Sequence, residues 1–170
     1  MGNIFSEIVR TGILIPIIIG NTAVAITLIG SAEQLGEYRA GNPSFATAYK
    51  IFIAAAVIGS IIAFYTTIHM IGMIVLPFVL GPEILEFLGL IIDFYSLALL
   101  AATGLIFILT FIGILYVSFA KDDGTKLPTN AYNWIGIAGF FTAINVTLAM
   151  YLVYKSWIAG NVMGDIMGAL

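Results

Sequence analysis

Apolar residues fill long stretches of this chain, and most charged residues lie in the short segments between them. A bilayer whose hydrocarbon core is about 30 Å thick is crossed by about 20 apolar residues in a helix, at about 1.5 Å per residue. A sheet with open edges cannot cross it, because its unpaired backbone groups would lie in hydrocarbon. The pattern therefore predicts four membrane-spanning helices, over residues 11–32, 51–73, 94–119 and 133–155.

The second apolar stretch is longer than one straight span. No charged residue occurs in the 32 positions after Lys50, and the prolines and glycine near the end of this stretch predict that the helix stops near Met73. Segment 83–93, which follows, has two interpretations. It forms either a short amphipathic helix on the membrane surface or the early part of one long third helix, from Glu83 to about Phe119. We favour the single long helix.

Composition supports the membrane assignment. The chain is 61% hydrophobic and 9% charged, with a mean hydropathy of +1.11, whereas soluble domains carry about 25% charged residues. Its 170 residues leave no room for a large soluble domain beside four spans. We therefore expect a single membrane domain, an all-α integral membrane four-helix bundle (a tetraspan) with short loops. The chain has neither cysteines nor clustered Lys and Arg, so disulfides, thiolate metal sites and nucleic-acid binding are not expected.

Two cues to the orientation of the chain in the membrane disagree. Four spans place both termini on one side, and the count of Lys and Arg, four in the first and third loops against two near the termini, favours cytosolic loops. The opening residues MGNIFS instead fit the pattern for N-myristoylation of Gly2, which requires a cytosolic terminus. We interpret Gly2 and Asn3 as the lead-in to an interfacial turn, without a lipid. We also expect the first span to be retained, because it is longer than a signal-peptide core.

Ionisable residues within a membrane are expensive and are candidates for function. His69, the only histidine, has two interpretations: an axial ligand to a haem or pigment, or an interfacial side chain near the end of the second span. We expect the interfacial role and predict no cofactor.

Asp93 is expected at the interface before the third span. His69 with Glu83 and Glu86 does not match a metal-site motif, and none of the common catalytic motifs occurs, so we predict neither a metal site nor an enzyme.

Small residues recur at helical spacing in two of the spans. Ala55, Gly59 and Ala63 do so in the second, and Gly139 and Ala143 in the fourth. Such stripes let helix backbones approach closely, and we expect them to pack within the bundle rather than against a partner.

Two pairs of polar or aromatic residues also have expected structural roles. Asn21 and Asn145 fall inside spans and are expected to hydrogen-bond between helices. Tyr154 and Trp157 are expected to anchor the end of the fourth helix at the interface, where the amphipathic rings of Tyr and Trp are favoured.

Two patches resemble the MARVEL-type tetraspans, especially the small fungal ones. GNPSFATAYKIFIAA, from Gly41 to Ala55, is similar to the approach to that family's second helix, and GLIIDFYSLALLAATGLIF, from Gly89 to Phe107, is similar to its third helix. Four spans, short loops and total length also agree. The resemblance implies a non-enzymatic role in organising membrane domains, and it carries over no catalytic residue.

These observations lead to three functional hypotheses. The first is a non-catalytic organiser of membrane domains that packs with membrane lipids, with itself as a homo-oligomer, or with larger membrane proteins. The second is an accessory subunit of a larger respiratory or photosynthetic membrane complex. The third is a haem carrier, pigment carrier or channel that uses His69. Which membrane holds the protein is not indicated by the sequence.

Overall fold

A computed structural model describes residues 2–81, 84–122 and 126–155, with side chains at 12, 14–76, 78–81, 94–120 and 126–155. This part of the chain forms four helices: α1 (Gly2–Gly36), α2 (Pro43–Leu80), α3 (Ile84–Asp122) and α4 (Thr129–Val153). Each contains a stretch long and apolar enough to cross a membrane. The predicted fold class, an all-α four-helix bundle, is confirmed.

The helices are longer than the spans predicted from hydropathy. The expectation that α2 ends near Met73 was wrong, because the helix continues to Leu80 and stops at Gly81, whose φ of 91° favours glycine. The N-terminal lead-in is not a separate turn, since α1 begins at Gly2. α3 is one continuous helix from Ile84, the longer of the two forms considered above.

The starts of α2 and α4 have local causes. Asn42 caps α2, because its Oδ1 accepts hydrogen bonds from the backbone N–H groups of Ser44 at 2.9 Å and Phe45 at 3.4 Å. Pro43 then occupies the first helical position, where its missing N–H costs nothing. In α4 the extended Pro128 precedes the first helical residue, Thr129, so this helix starts before the predicted residue 133.

The four helices form a square, up-and-down bundle. Within the described residues α1 packs on α2 and α4, α3 packs on the same two helices, α1 and α3 touch slightly across one diagonal, and α2 and α4 do not meet. The short connections, 37–42, 81–83 and 123–128, make sequential helices antiparallel neighbours.

Buried positions on every helix follow an alternating spacing of three and four residues, which we call the seam. This 3.5-residue repeat is typical of left-handed coiled-coil packing, with helices crossing at about 20°. On α3 and α4 the seam residues are Ser96, Leu99, Thr103, Ile106, Thr110, Gly113, Val117 and Ala120, and Ala131, Ile135, Ala138, Thr142, Asn145, Ala149 and Leu152. On α1 and α2 they include Leu14, Ile17, Asn21, Val24, Leu28, Ser31 and Leu35, and Phe45, Ala48, Phe52, Ala55, Gly59, Ile62, Thr66 and Met73.

Large side chains fill the space that glycines leave between helices. The ring of Phe52 on α2 occupies the place where Gly113 of α3 would carry a Cβ. The indole of Trp134 on α4 lies against Gly30 of α1 in the same way, with the ring 2.7 Å from the position of the missing Cβ. These pairs let neighbouring helices interlock, in the manner of a close-packed protein interior.

Candidate functional site

The centre of the bundle contains a pair of buried asparagines. Asn21 of α1 is 0% exposed and Asn145 of α4 is 2% exposed. Asn145 donates from Nδ2 to Oδ1 of Asn21 at 2.7 Å, and Asn21 donates from its own Nδ2 to the backbone oxygen of Ile17 at 3.0 Å. The structure thus brings together the two asparagines singled out from the sequence, and it links α1 to α4 by a hydrogen bond in the apolar interior.

One oxygen of this pair has no hydrogen-bond partner among the described residues. Oδ1 of Asn145 is covered by protein and lies 2.5 Å from the place where Gly20 would carry a Cβ. Because Gly20 has no side chain, the amide of Asn145 fits into the α1–α4 interface. Any larger residue at position 20 would displace this amide. The site is a filled contact between helices, with no space for a ligand beside this oxygen.

A second polar cluster joins α2 to α3. The Thr66 hydroxyl donates to the backbone oxygen of Ile62 at 2.7 Å, which leaves its oxygen to accept from the Tyr95 hydroxyl at 2.5 Å. The ring of Tyr95 also stacks on the imidazole of His69, with centroids 5.0 Å apart and planes inclined by 20°. Tyr95 is thus held by contacts at both its ring and its hydroxyl.

His69 is poorly placed to ligate a cofactor. Its Nε2 is covered by protein atoms and finds no partner among the described residues, so the metal of a haem or pigment could reach it only after the surrounding side chains moved. A groove between α2 and α3 has a cavity volume of about 170 Å³ and an almost wholly apolar lining that includes Tyr65, Tyr95 and Ala98 but not His69. Small-molecule sites usually enclose about 300–1,000 Å³.

The position of His69 along the bundle axis agrees better with an interfacial role than with cofactor binding. Gly59 lies in one layer with Asn21 and Ile106, since a Cβ on Gly59 would be 3.6 Å from the backbone oxygen of Asn21 and 3.8 Å from Cδ1 of Ile106. The ten residues from Gly59 to His69 rise about 15 Å above this layer, which is about half the thickness of a hydrocarbon core.

Each of the other three helices reaches a charged residue at nearly the same height. The ten to thirteen residues that separate Arg10, Asp93 and Lys155 from this central layer rise about 15–20 Å. This agreement supports an interfacial role for His69.

The small-residue stripes face the bundle. Ala55 is fully buried, and Gly59 lies between α1 and α3 as described above. A Cβ on Gly139 would lie 3.3 Å from Cδ1 of Ile114 on α3. Ala63 and Ala143 are partly buried. Ala55, Gly59 and Gly139 therefore lie where helices of one chain meet.

The interfacial residues are only partly covered by the structure. Tyr154 is half exposed at the end of α4, and Lys155 places its Nζ 5.7 Å from the ring centre of Tyr151. The backbone of Asp93 lies within α3, but its side chain and the whole of Trp157 lie outside the described residues. At the opposite end of the bundle the Arg39 guanidinium lies 4.5 Å from the ring centre of Tyr49.

Within residues 2–81, 84–122 and 126–155, no group of three His, Cys, Asp or Glu side chains could hold a metal ion. Comparisons with protein-family models, with curated proteins and with solved structures find no match to this chain.

Proposed function

We propose that this protein is a non-catalytic integral membrane protein that organises its surroundings through its outer surface, by contacts with lipids and with other membrane proteins. The proposal rests on the contrast between the filled interior of the bundle and its exposed apolar outer surface. The interior is filled at successive levels by Phe52 against Gly113, by the Asn21–Asn145 hydrogen bond, and by other seam contacts. Chemistry or transport through the centre would require these contacts to separate.

The exterior of the bundle is mostly apolar where the structure describes its side chains between the membrane boundaries. Bulky apolar side chains point outward on all four helices, among them Ile19, Ile29, Phe64, Phe94, Phe111, Phe119, Phe140 and Met150. They need no hydrogen-bond partner, so a lipid chain or an apolar helix covers them equally well. A role as an organiser of membrane domains also agrees with what the resemblance to MARVEL-type tetraspans implies.

Extraction from native membranes tests the proposal. We expect the protein, solubilised in a mild detergent, to have a native mass above that of one chain, with bound lipid, further copies of itself or other membrane proteins. A single chain with neither lipid nor protein attached would contradict the proposal. A partner present at fixed stoichiometry would identify the second version of the function, an accessory subunit of a larger complex.

Bulky substitutions on the outer surface then locate the contact. Ala54, Ala101 and Gly136 are exposed on α2, α3 and α4, and no atom lies within 4 Å of a Cβ built on Gly136. Phenylalanine at each position should leave the fold intact, because lipid accommodates apolar side chains. The variant that loses the attached protein marks the face that binds it, and the other two serve as matched controls.

A further inference from the structure

A groove between α1 and α4 opens on the outer surface of the bundle, at the end opposite to His69. Its cavity volume is about 270 Å³, and its lining consists of Ile26, Ile29, Gly30, Glu33, Gln34 and Trp134. The indole of Trp134 lies where Gly30 would carry a Cβ, so this glycine makes room for the ring beside the groove. The volume is close to the lower limit of small-molecule sites, which usually enclose about 300–1,000 Å³.

The groove lies across the boundary of the hydrocarbon core. Asn21 and Asn145, which bond to each other, lie in the central layer of the bundle. The twelve residues from Asn21 to Glu33 rise about 18 Å from this layer, and the eleven from Trp134 to Asn145 span about 17 Å. Ile26 is only about 8 Å from the layer. Since half a hydrocarbon core is about 15 Å thick, the groove begins among acyl chains and ends at the level of the headgroups.

The outer end of the groove is suited to a positive charge. Glu33 is exposed, and its carboxylate forms neither an ion pair nor a hydrogen bond within the part of the chain that the structure describes. Among the described residues that line the groove there is no Lys or Arg. Gln34 adds an amide oxygen, and Trp134 adds the aromatic ring that attracts cations most strongly. A cation therefore meets three favourable groups, whereas the carboxylate would repel an anion.

The inner end of the groove indicates that the cation belongs to a lipid. Ile26 and Ile29 are 57% and 42% exposed, and both lie at the depth of the hydrocarbon core. A small amine dissolved in water would leave these two side chains uncovered. A phospholipid with an amine headgroup has the same order of chemistry as the groove, with acyl chains inside the boundary and a positive nitrogen outside it. The groove therefore matches the headgroup and the upper chains of such a lipid.

We propose that this groove binds phospholipids whose headgroup carries a cationic nitrogen, as ethanolamine and choline do. Glu33 and Trp134 contact the nitrogen, by charge attraction and by a cation–π interaction, while Ile26 and Ile29 contact the upper part of an acyl chain. An anionic headgroup is disfavoured, because it would lie beside the carboxylate of Glu33. This inference rests on the proposed function, and it specifies which lipids the outer surface selects.

Competition between lipids tests the inference. The full-length protein is reconstituted in nanodiscs that contain equal parts of phosphatidylethanolamine, phosphatidylcholine and phosphatidylglycerol with identical chains, and native mass spectrometry then counts the lipids that stay bound after release. An exposed ion pair and a cation–π contact each favour a bound cation by about threefold. We therefore expect the two amine lipids to be retained about tenfold over phosphatidylglycerol. Equal retention, or a preference for phosphatidylglycerol, would overturn the inference.

Substitutions in the groove locate the bound lipid. Glu33→Gln keeps the size of the side chain and removes its charge, so it should reduce the preference to about threefold, and adding Trp134→Leu should abolish it. Glu37→Gln is the matched control: Glu37 is exposed at the same end of the bundle, but it does not line the groove. Far-ultraviolet circular dichroism checks that the variants are folded. If the control loses as much preference as Glu33→Gln, a general surface charge is responsible and the groove is not the site.

Photocrosslinking separates a lipid from other occupants. Benzoylphenylalanine in place of Ile29 should yield adducts with amine phospholipids in native membranes. Protein adducts would overturn the inference and show a docked partner instead. Displacement of the lipid in nanodiscs by millimolar phosphocholine or phosphoethanolamine would overturn it too, because the chains would then contribute nothing. Since the native mass is measured separately, a protein that keeps its lipids and partners but shows no headgroup preference refutes only this inference.

Discussion

The hydrogen bond between Asn21 and Asn145 should make a measurable contribution to stability, and its geometry predicts which substitution costs more. Replacing Asn145 by leucine leaves Oδ1 of Asn21 without its donor, while Nδ2 of Asn21 still bonds to Ile17. Replacing Asn21 leaves the whole amide of Asn145 unpaired, because its Oδ1 already has no partner among the described residues. We therefore expect Asn21→Leu to destabilise the protein more than Asn145→Leu.

The magnitudes follow from measurements on other membrane bundles. Hydrogen bonds between membrane helices contribute about 0.6 kcal/mol on average and about 1.7 kcal/mol at most. A buried polar group left unpaired costs about 1–3 kcal/mol. We expect about 1–2 kcal/mol for Asn145→Leu, up to about 1 kcal/mol more for Asn21→Leu, and a double variant that costs less than the sum of the two.

A double-mutant cycle measures this coupling. The free energy of unfolding is obtained in lipid–detergent micelles by titration with a denaturing detergent, followed by circular dichroism. Thr147→Ala is the control, because Thr147 is exposed on the same helix and its hydroxyl bonds only to the backbone oxygen of Ala143. Strictly additive effects, or a loss in the Thr147 variant as large as in the asparagine variants, would refute the reasoning.

Three further substitutions test other contacts between helices. Gly113→Ala should cost about 1–3 kcal/mol of unfolding free energy through overpacking, because its Cβ would meet the Phe52 ring; Gly113→Ala with Phe52→Leu should recover part of the loss. Gly30→Ala should displace the indole of Trp134, which a shift in tryptophan emission reports once the other tryptophan is replaced; unchanged emission would contradict the contact. Tyr95→Phe should cost about 0.6 kcal/mol in a detergent titration, since it removes only the hydroxyl that bonds to threonine on α2.

The class and number of helices were predictable because the bilayer imposes them. Any uncharged stretch of about 20 residues between charged segments must form a helix to satisfy its backbone. The ends of the helices were not predictable in this way. The estimate for α2 stopped near Met73, at the length that fills a bilayer, but the helix continues past Pro77 to the glycine that can end it, Gly81.

The seam could not be read from hydropathy. In a soluble bundle the buried stripe is apolar and the outer face is polar, so the 3.5-residue repeat stands out. Here the outer face is at least as apolar as the inner one: Phe111 and Ile112 point outward while Thr110 and Gly113 are buried. Small and hydroxyl-bearing residues mark the inside. The sequence pattern of Ser96, Thr103, Thr110 and Val117, seven residues apart, is the signal that would have revealed it.

Some site residues could be predicted from the sequence by their chemistry, and others could not. Asn21, Asn145 and His69 stand out because amides and imidazoles are rare within spans. Tyr95 and Thr66 did not, since tyrosine and threonine are common in membrane helices and each acquires its role only from a residue on another helix. Contacts between distant parts of the chain depend on the register of the helices, which single-span patterns do not contain.

The polar contacts of the bundle differ in what they can specify. The hydroxyls of Thr103 and Ser31 bond to backbone oxygens of their own helices at 2.9 and 2.7 Å. Because these hydroxyls are already paired, the two side chains are compatible with several registers of a neighbouring helix. The Asn21–Asn145 bond tolerates one register of α1 against α4, and the bond of Tyr95 to α2 tolerates one register of α2 against α3. At Gly59 of α2 the neighbouring atoms on α1 are the backbone oxygen of Asn21 and Cβ of Ala25, and at Gly139 of α4 the neighbouring atom on α3 is Cδ1 of Ile114. Two of the helix pairs, α1–α4 and α2–α3, are thus each held in register by a hydrogen bond between side chains.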